Sequence, residues 1–346
     1  MAISFLIIQF APGGPIERII SQIDGNDNSA LSRVSGGFNG DFTQSGQNTD
    51  INNKYRGSQG LDPEFILELE KQFGFDKPPL ERFYLMITNY MRFDFGESYY
   101  RDIRVIDLII EKLPVSVSLG LWMTLISYLI SIPLGMMKAV RDGTKFDLWT
   151  STIIVISYAL PGFLIAIFLI IFFAGGSYLD WFPLRGLTSD NFNELSILGK
   201  VIDYIWHITL PLLSMVLAAF ATTTLLTKNS FLDEIGKQYV LTARAKGLTE
   251  KQVLKRHVFR NAMLIIVSGF PAAFISAFFT GSLLIETIFS LDGLGLLSFE
   301  SIVNRDYAVV FASLYIFSFI GLIINLISDL IYHWIDPRID FEKRDL

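Results

Sequence analysis

Residues 239 to 261 read YVLTARAKGLTEKQVLKRHVFRN. They hold six Lys or Arg, one Glu and one His, in a chain of formal net charge -6 that is 51% hydrophobic. The local signals give helix, turn, helix. Ser230 or Asp233 is placed to cap a first helix running through Gln238 and on to Lys246, and Gly247 supplies the left-handed residue that ends it. Thr249 and Gln252 then match a capping box, T-x-x-Q, which opens a second helix through Val253, Leu254, His257 and Val258.

What flanks this stretch fixes its setting. A bilayer core of about 30 Å needs roughly 20 mostly apolar residues per helix. Five windows meet that need, at about 114–138, 149–174, 207–227, 263–290 and 308–334. Together with a mean hydropathy of +0.44 and 14% aromatic residues, they predict an all-α polytopic membrane protein. The opening MAISFLIIQF is apolar for ten residues before Ala11-Pro12-Gly13-Gly14-Pro15 ends any helix. It is expected to be the outer end of a first, partial span over 1–11 that begins upstream, because a signal peptide would need a basic start and a small-residue cleavage pattern. The expected architecture is thus five complete transmembrane helices plus a partial N-terminal one.

Lys and Arg set the orientation. Eight fall in 228–262, three more are Lys138, Arg141 and Lys145, and the tail adds Arg338, Lys343 and Arg344. The segment 175–206 has only Arg185 and Lys200, and 291–307 only Arg305. The basic segments are therefore expected on the cytoplasmic side, which puts 12–112 outside. Its part 16–60 is rich in Asn, Gly, Ser and Gln and is expected to be flexible. The part 61–112 is expected to be helical, with Asp62 and Pro63 starting one helix and PLERFYLMITNYMRF forming another.

Pro133, Pro161 with Gly162, Pro211 and Pro271 with Gly269 are expected to interrupt the spans, and freed backbone at such breaks can line a pathway. Glu286, near the outer end of the 263–290 span, and Asp329, in the last span, are the acids within the spans; an intramembrane acid suggests function, and a position near a helix end equally fits a solvated or Arg-paired structural role. Glu286 is the candidate gate.

Several chemistries are excluded. The chain has no G-x-x-x-x-G-K-[ST], H-E-x-x-H or G-x-S-x-G and no Cys, and its three His are scattered. No catalytic, cofactor-binding or metal site is expected, and any ATP must be handled by another chain. The basic loop itself has three readings: positive-inside charge, a DNA-binding helix-turn-helix, or a docking element for a cytoplasmic partner. Two tethered ends and the lack of a third helix speak against DNA, and the caps and the small residues Ala243, Ala245 and Gly247 speak for docking.

The stretch YVLTARAKGLTEKQVLKRHVFRNAML resembles the cytoplasmic EAA loop of ABC importer permeases, in the form found in dipeptide and oligopeptide importers. Leu241, Thr242, Ala243 and Gly247 stand at the E-A-A and Gly positions, so Ala243 and Gly247 match the general pattern and the first two depart from it. Further resemblance lies in APGGP at 11–15, FGFDKPPLERF at 73–83, FDFGES at 93–98, LPVSVSLG at 113–120, ETIFSLDGLGLL at 286–297 and DPRIDF at 336–341. NNKYRGSQGLDP and FFAGGSYLDWFPLRGL look most like the branch that carries peptides and microcin C.

The resemblance implies an ABC importer type I transmembrane domain over 113–334, with a coupling loop at 228–262, an extracytoplasmic insert over 12–112 and a cytoplasmic tail over 335–346. It also implies a bacterial inner-membrane location and an oligopeptide cargo, possible microcin C-like peptides included. The implied partners are a second homologous permease subunit, two ATPase subunits, an extracytoplasmic peptide-binding protein and membrane lipid, with no nucleic acid. The expected ATPase-docking residues are Tyr239, Thr242, Ala243, Arg244, Ala245, Lys246, Gly247 and Leu248. The competing class is an ATP-independent secondary transporter or channel subunit.

Overall fold

The computed structural model describes residues 1–10, 16, 71 and 76–335, apart from 102, 177, 280 and 281. In chain order its helices are α1 (Ala2–Phe10), α2 (Pro79–Tyr90), α3 (Val105–Val140), α4 (Lys145–Ala159), α5 (Gly162–Phe173), α6 (Ile197–Ile235) and α7 (Gln238–Ala245). There follow α8 (Glu250–Val253), α9 (Phe259–Ser268), α10 (Phe270–Phe279), α11 (Ser282–Ile288), α12 (Leu294–Asn304) and α13 (Tyr307–Ile335). A π-helical turn, Leu254–Val258, joins α8 to α9. Among the described residues the only β pairing is the isolated bridge between Glu97 and Arg104. The expectations for a flexible 16–60, a helix within 61–75 and a tail over 335–346 fall outside the described residues, isolated positions aside.

α3, α6 and the part Tyr307–Ile331 of α13 are long and apolar enough to cross a membrane. α4 and α5, bent by 92° at their junction, make a fourth candidate. Leu160 takes an extended backbone (φ -92°, ψ 122°) ahead of Pro161, as a residue before proline is pushed to do, and α5 restarts at Gly162. The 263–290 window is divided among α9, α10 and α11, with Gly269 as the C-cap of α9. Pro133 and Pro211, by contrast, stay inside continuous helices, which corrects the expectation that they interrupt. One missing N–H in a long helix is tolerated when neighbouring groups satisfy the freed backbone, and Ser214 Oγ donates to the Pro211 carbonyl at 2.7 Å.

The chain divides into two compact units, residues 1–111 with 297–316 and residues 112–296 with 317–346. In the first, Tyr90 and Phe95 are buried and pack edge to face at 4.8 Å, and each also meets Tyr315. Asp306 is buried there, accepts from Ser98 Oγ at 2.5 Å and from the Tyr99 amide at 3.3 Å, and burial raises its pKa.

In the second unit α6 is the central helix, packed against α4, α5 and α9. It also meets α3 with unusual closeness. A Cβ added at Gly135 would lie 2.6 Å from Thr227 Cβ and 2.8 Å from the Thr224 carbonyl. Ser131 Oγ donates to the Phe220 carbonyl at 3.0 Å across the same pair. A small residue at a close crossing, with hydroxyls bonding between helices, is how helices associate where lipid removes the hydrophobic drive.

Candidate functional site

The stretch 228–262 is less a loop than a chain of helices. α6 runs on to Ile235, so Ser230 and Asp233 lie inside it and neither caps α7, whose N-cap is Lys237 with no side-chain cap bond. Ser230 is instead held by tertiary structure, its Oγ donating to the Ala262 carbonyl on α9 at 2.7 Å.

α7 ends as its sequence predicts. Gly247 has φ +82°, the Leu248 amide donates to the Ala243 carbonyl at 3.4 Å, and the Gly247 amide donates to the Arg244 carbonyl at 2.9 Å. These two bonds make a Schellman motif with glycine at the left-handed position. The capping box at Thr249 and Gln252 forms, with the Thr249 amide donating to Gln252 Oε1 at 3.0 Å. Across the turn Arg244 Nη2 donates to Glu250 Oε2 at 3.0 Å.

The faces of α7 divide the expected docking residues. Val240 and Ala243 are buried, in a cluster with Ala139, Phe231, Val253, Val258, Ala262 and Ile266. Tyr239, Arg244 and Leu248 are half-buried, and Leu241, Thr242, Ala245, Lys246 and Gly247 are exposed. Ala243, expected to meet a partner, thus has its side chain beneath the helix, where its small size lets α7 sit close to α8. A pocket of about 310 Å³ lies at the same place, lined by Ala139, Val140, Ile235, Val240, Val253 and Val258 among others.

A polar node ties α7 to the end of α6. The Tyr239 hydroxyl donates to Glu234 Oε2 at 2.5 Å and accepts from Asn261 Nδ2 at 3.2 Å, and Lys237 pairs with Glu234. Burial, and then the Glu234 carboxylate, push the Tyr239 pKa up to about 12. The phenol is therefore neutral, and a proton donor, at any physiological pH.

Two cations counted as loop charge serve another purpose. Lys138 is fully buried, with Nζ 2.8 Å from Asp147 Oδ1 and within 2.8 Å of Thr150 Oγ1 and 2.7 Å of Ser151 Oγ. Lys228 reaches Asp147 Oδ2 at 2.8 Å and Asp142 Oδ1 at 2.7 Å. This cluster clamps the α3–α4 turn to α6. Its members lie 81 or more positions apart across that contact, so no short motif announces it.

Glu286 is fully buried. Its Oε1 accepts from Ser116 Oγ at 3.1 Å and its Oε2 from the Leu296 amide at 2.7 Å. Ser116 Oγ in turn accepts from the Leu294 amide at 2.8 Å, so acid and serine together satisfy orphan amides in the first turn of α12. A Cβ at Gly293 would come within 2.4 Å of Glu286 Oε1, so any side chain there would push the carboxylate off its present bonds. A further pair ties the segment before α6 to its first turns: Asp203 of α6 accepts from the Ser189 hydroxyl at 2.5 Å and amide at 2.9 Å, and the Asp203 carbonyl lies 2.8 Å from His207 Nδ1. Among the described residues no group of His, Cys, Asp and Glu could hold a metal ion.

Residues 131–341 match the family model described as "Binding-protein-dependent transport system inner membrane component". The chain belongs to that family. It is 67% identical over its whole length to "Peptidoglycan transport system permease protein YejB" of Agrobacterium fabrum, covering 95% of that protein. It is 56% identical to "Inner membrane ABC transporter permease protein YejB" of Escherichia coli O157:H7, over 99% of this chain and 95% of that one. The "Oligopeptide transport system permease protein AppB" of Bacillus subtilis is 34% identical, over 81% of this chain and 88% of that protein. Among solved structures, the inward-facing MetNI methionine ABC transporter aligns with a TM-score of 0.52 at 16% identity, over 66% of this chain and 97% of that one. The last likeness speaks for the fold, a type I ABC transmembrane domain. The permease is a multi-pass inner-membrane transport component rather than an enzyme.

Proposed function

We propose that this permease is one of two homologous membrane subunits of an ABC importer that carries oligopeptides inward, cell-wall or microcin C-like peptides among the candidates. Two ATPase subunits bind at 228–262, and a peptide-binding protein delivers cargo on the other side. α9 to α11 act as one broken span over 263–290, which makes five complete crossings with α1 as part of a sixth. The basic segments face the cytoplasm, and 12–112 is extracytoplasmic.

The observation that carries this reading is the build of α7. It is a short helix with a buried underside, a glycine stop and an outward face of Leu241, Thr242, Ala245 and Lys246, bonded through Tyr239 to Glu234 of α6 and Asn261 of α9. A push on that face moves two membrane helices at once, the requirement for coupling ATP-driven closure to a change of access. Glu286 contributes by anchoring α12 and the 291–296 turn, so its gating part is to hold that segment in place.

The experiment is substitution at Gly247, where nothing lies within 4 Å of an added Cβ. Gly247→Asn keeps the left-handed turn and retains uptake, while Gly247→Trp adds bulk to the outward face and abolishes uptake with normal membrane insertion. Normal uptake by Gly247→Trp would refute the docking assignment.

A further inference from the structure

Leu80, Tyr84 and Ile87 of α2 and Met91, its C-cap residue with helical backbone, recur at steps of four, three and four residues, which places them on one face. Leu80 is 85%, Tyr84 70% and Met91 67% exposed, whereas Tyr90 on the adjoining flank is buried. Asn89 lies opposite the stripe, Glu81 stands on the flank away from Tyr90, Thr88 borders Tyr84 and donates its hydroxyl to the Tyr84 carbonyl, and exposed Lys77 and Arg92 stand at the two ends.

The depth of α2 follows from what it touches. Phe83 packs 5.2 Å from Phe5 of α1, and Phe5 packs 6.0 Å from Phe311 of α13. Phe5 is five residues short of the Phe10 end of α1, and Phe311 four residues past the Tyr307 start of α13. At 1.5 Å per residue the contact lies about 6–8 Å inside the ends of two apolar helices. α1 turns Ile3, Leu6 and Ile7 outward and bears no charged side chain, a surface suited to hydrocarbon. A helix with an apolar stripe and a polar back at that level is at the depth of interfacial helices, about 5–10 Å into the headgroup and acyl boundary.

We infer that α2 is an interfacial helix whose stripe Leu80, Tyr84, Ile87 and Met91 lies in the acyl chains of one leaflet. Glu81 and Asn89 face the headgroups and water. Lys77 and Arg92 reach lipid phosphates from the two ends, their stems lying along the apolar layer. Which leaflet this is rests on the orientation proposed above; the lipid contact does not.

The chain has no cysteine, so single-cysteine variants place a unique spin label on it. Leu80→Cys, Tyr84→Cys and Met91→Cys would be compared with Glu81→Cys and Asn89→Cys in the full-length permease, reconstituted in phosphatidylethanolamine–phosphatidylglycerol vesicles. Power saturation reads collision with oxygen, which concentrates in lipid, against collision with a water-soluble nickel chelate. The expected result is a severalfold higher oxygen-to-nickel ratio at 80, 84 and 91 than at 81 and 89. Higher nickel accessibility at 80, 84 and 91 would place the stripe in water, and exclusion of both reagents would place it against protein; either overturns the inference.

Discussion

The Lys138 ammonium lies 2.8 Å from Asp147 Oδ1 with no solvent exposure of the lysine side chain. Asp147 shares its other oxygen with Lys228 at 2.8 Å, so one carboxylate neutralises two buried or nearly buried cations. Removing one partner of such a pair costs about 3–5 kcal/mol, because the other charge stays buried. Asp147→Ala is expected to lower the melting temperature of the purified permease more than Lys138→Met, since the first leaves buried Lys138 with no carboxylate and Lys228 with Asp142 alone, and the second leaves Asp147 paired with Lys228. Thermal unfolding in detergent checks the order, and equal shifts would count against the shared carboxylate.

Gly135 should tolerate no side chain. Gly135→Ala puts a Cβ onto Thr227 and the Thr224 carbonyl, an overpacking worth about 1–3 kcal/mol. Thr227→Ala is not expected to rescue it, because the clashing Thr227 Cβ and the backbone carbonyl both remain. Recovery of stability in the double variant would mean that α3 and α6 are free to separate.

Glu286→Ala leaves the Leu296 amide without its acceptor in a buried site, at about 1–3 kcal/mol. Glu286→Gln keeps a carbonyl oxygen for that amide and should cost less. Gly293→Ala is expected to resemble the alanine variant, because its Cβ would displace the same carboxylate. Melting temperature and uptake measured together test this: wild-type stability with lost uptake would make Glu286 a gate in its own right rather than an anchor.

Tyr239→Phe removes a donor from the buried Glu234 carboxylate, which retains Lys237. The expected loss is about 1.5–3 kcal/mol, the range for a bond to a charged group, with α7 loosened from α6. Faster amide exchange over 238–246 in the variant would register it, and unchanged exchange would show that the node does not hold α7.

What could be read in the sequence follows the range of the interactions. The Gly247 stop and the Thr249–Gln252 box involve residues at most a few positions apart, so their signals are complete in a short stretch. The break at Pro161–Gly162 is local in the same way. Ser230 had the right chemistry for a cap, but α6 runs past it, and its partner is Ala262, 32 positions away. The Lys138–Asp147–Lys228 cluster and the Gly135–Thr227 contact depend on which helices cross, which periodicity does not encode. The small size of Ala243 was visible, but the side it faces was not, because α7 presents small residues both inward (Ala243) and outward (Ala245).

The central claim is that the outward face of α7 receives the ATPase. In a chain without native cysteines, Thr242→Cys and Lys246→Cys are single reactive sites on that face, and Ala243→Cys is the buried control. A short bifunctional thiol reagent applied to the assembled transporter is expected to join positions 242 and 246, but not 243, to an ATP-binding subunit. Absence of any cross-link from 242 and 246 in a complex that still hydrolyses ATP would contradict the account.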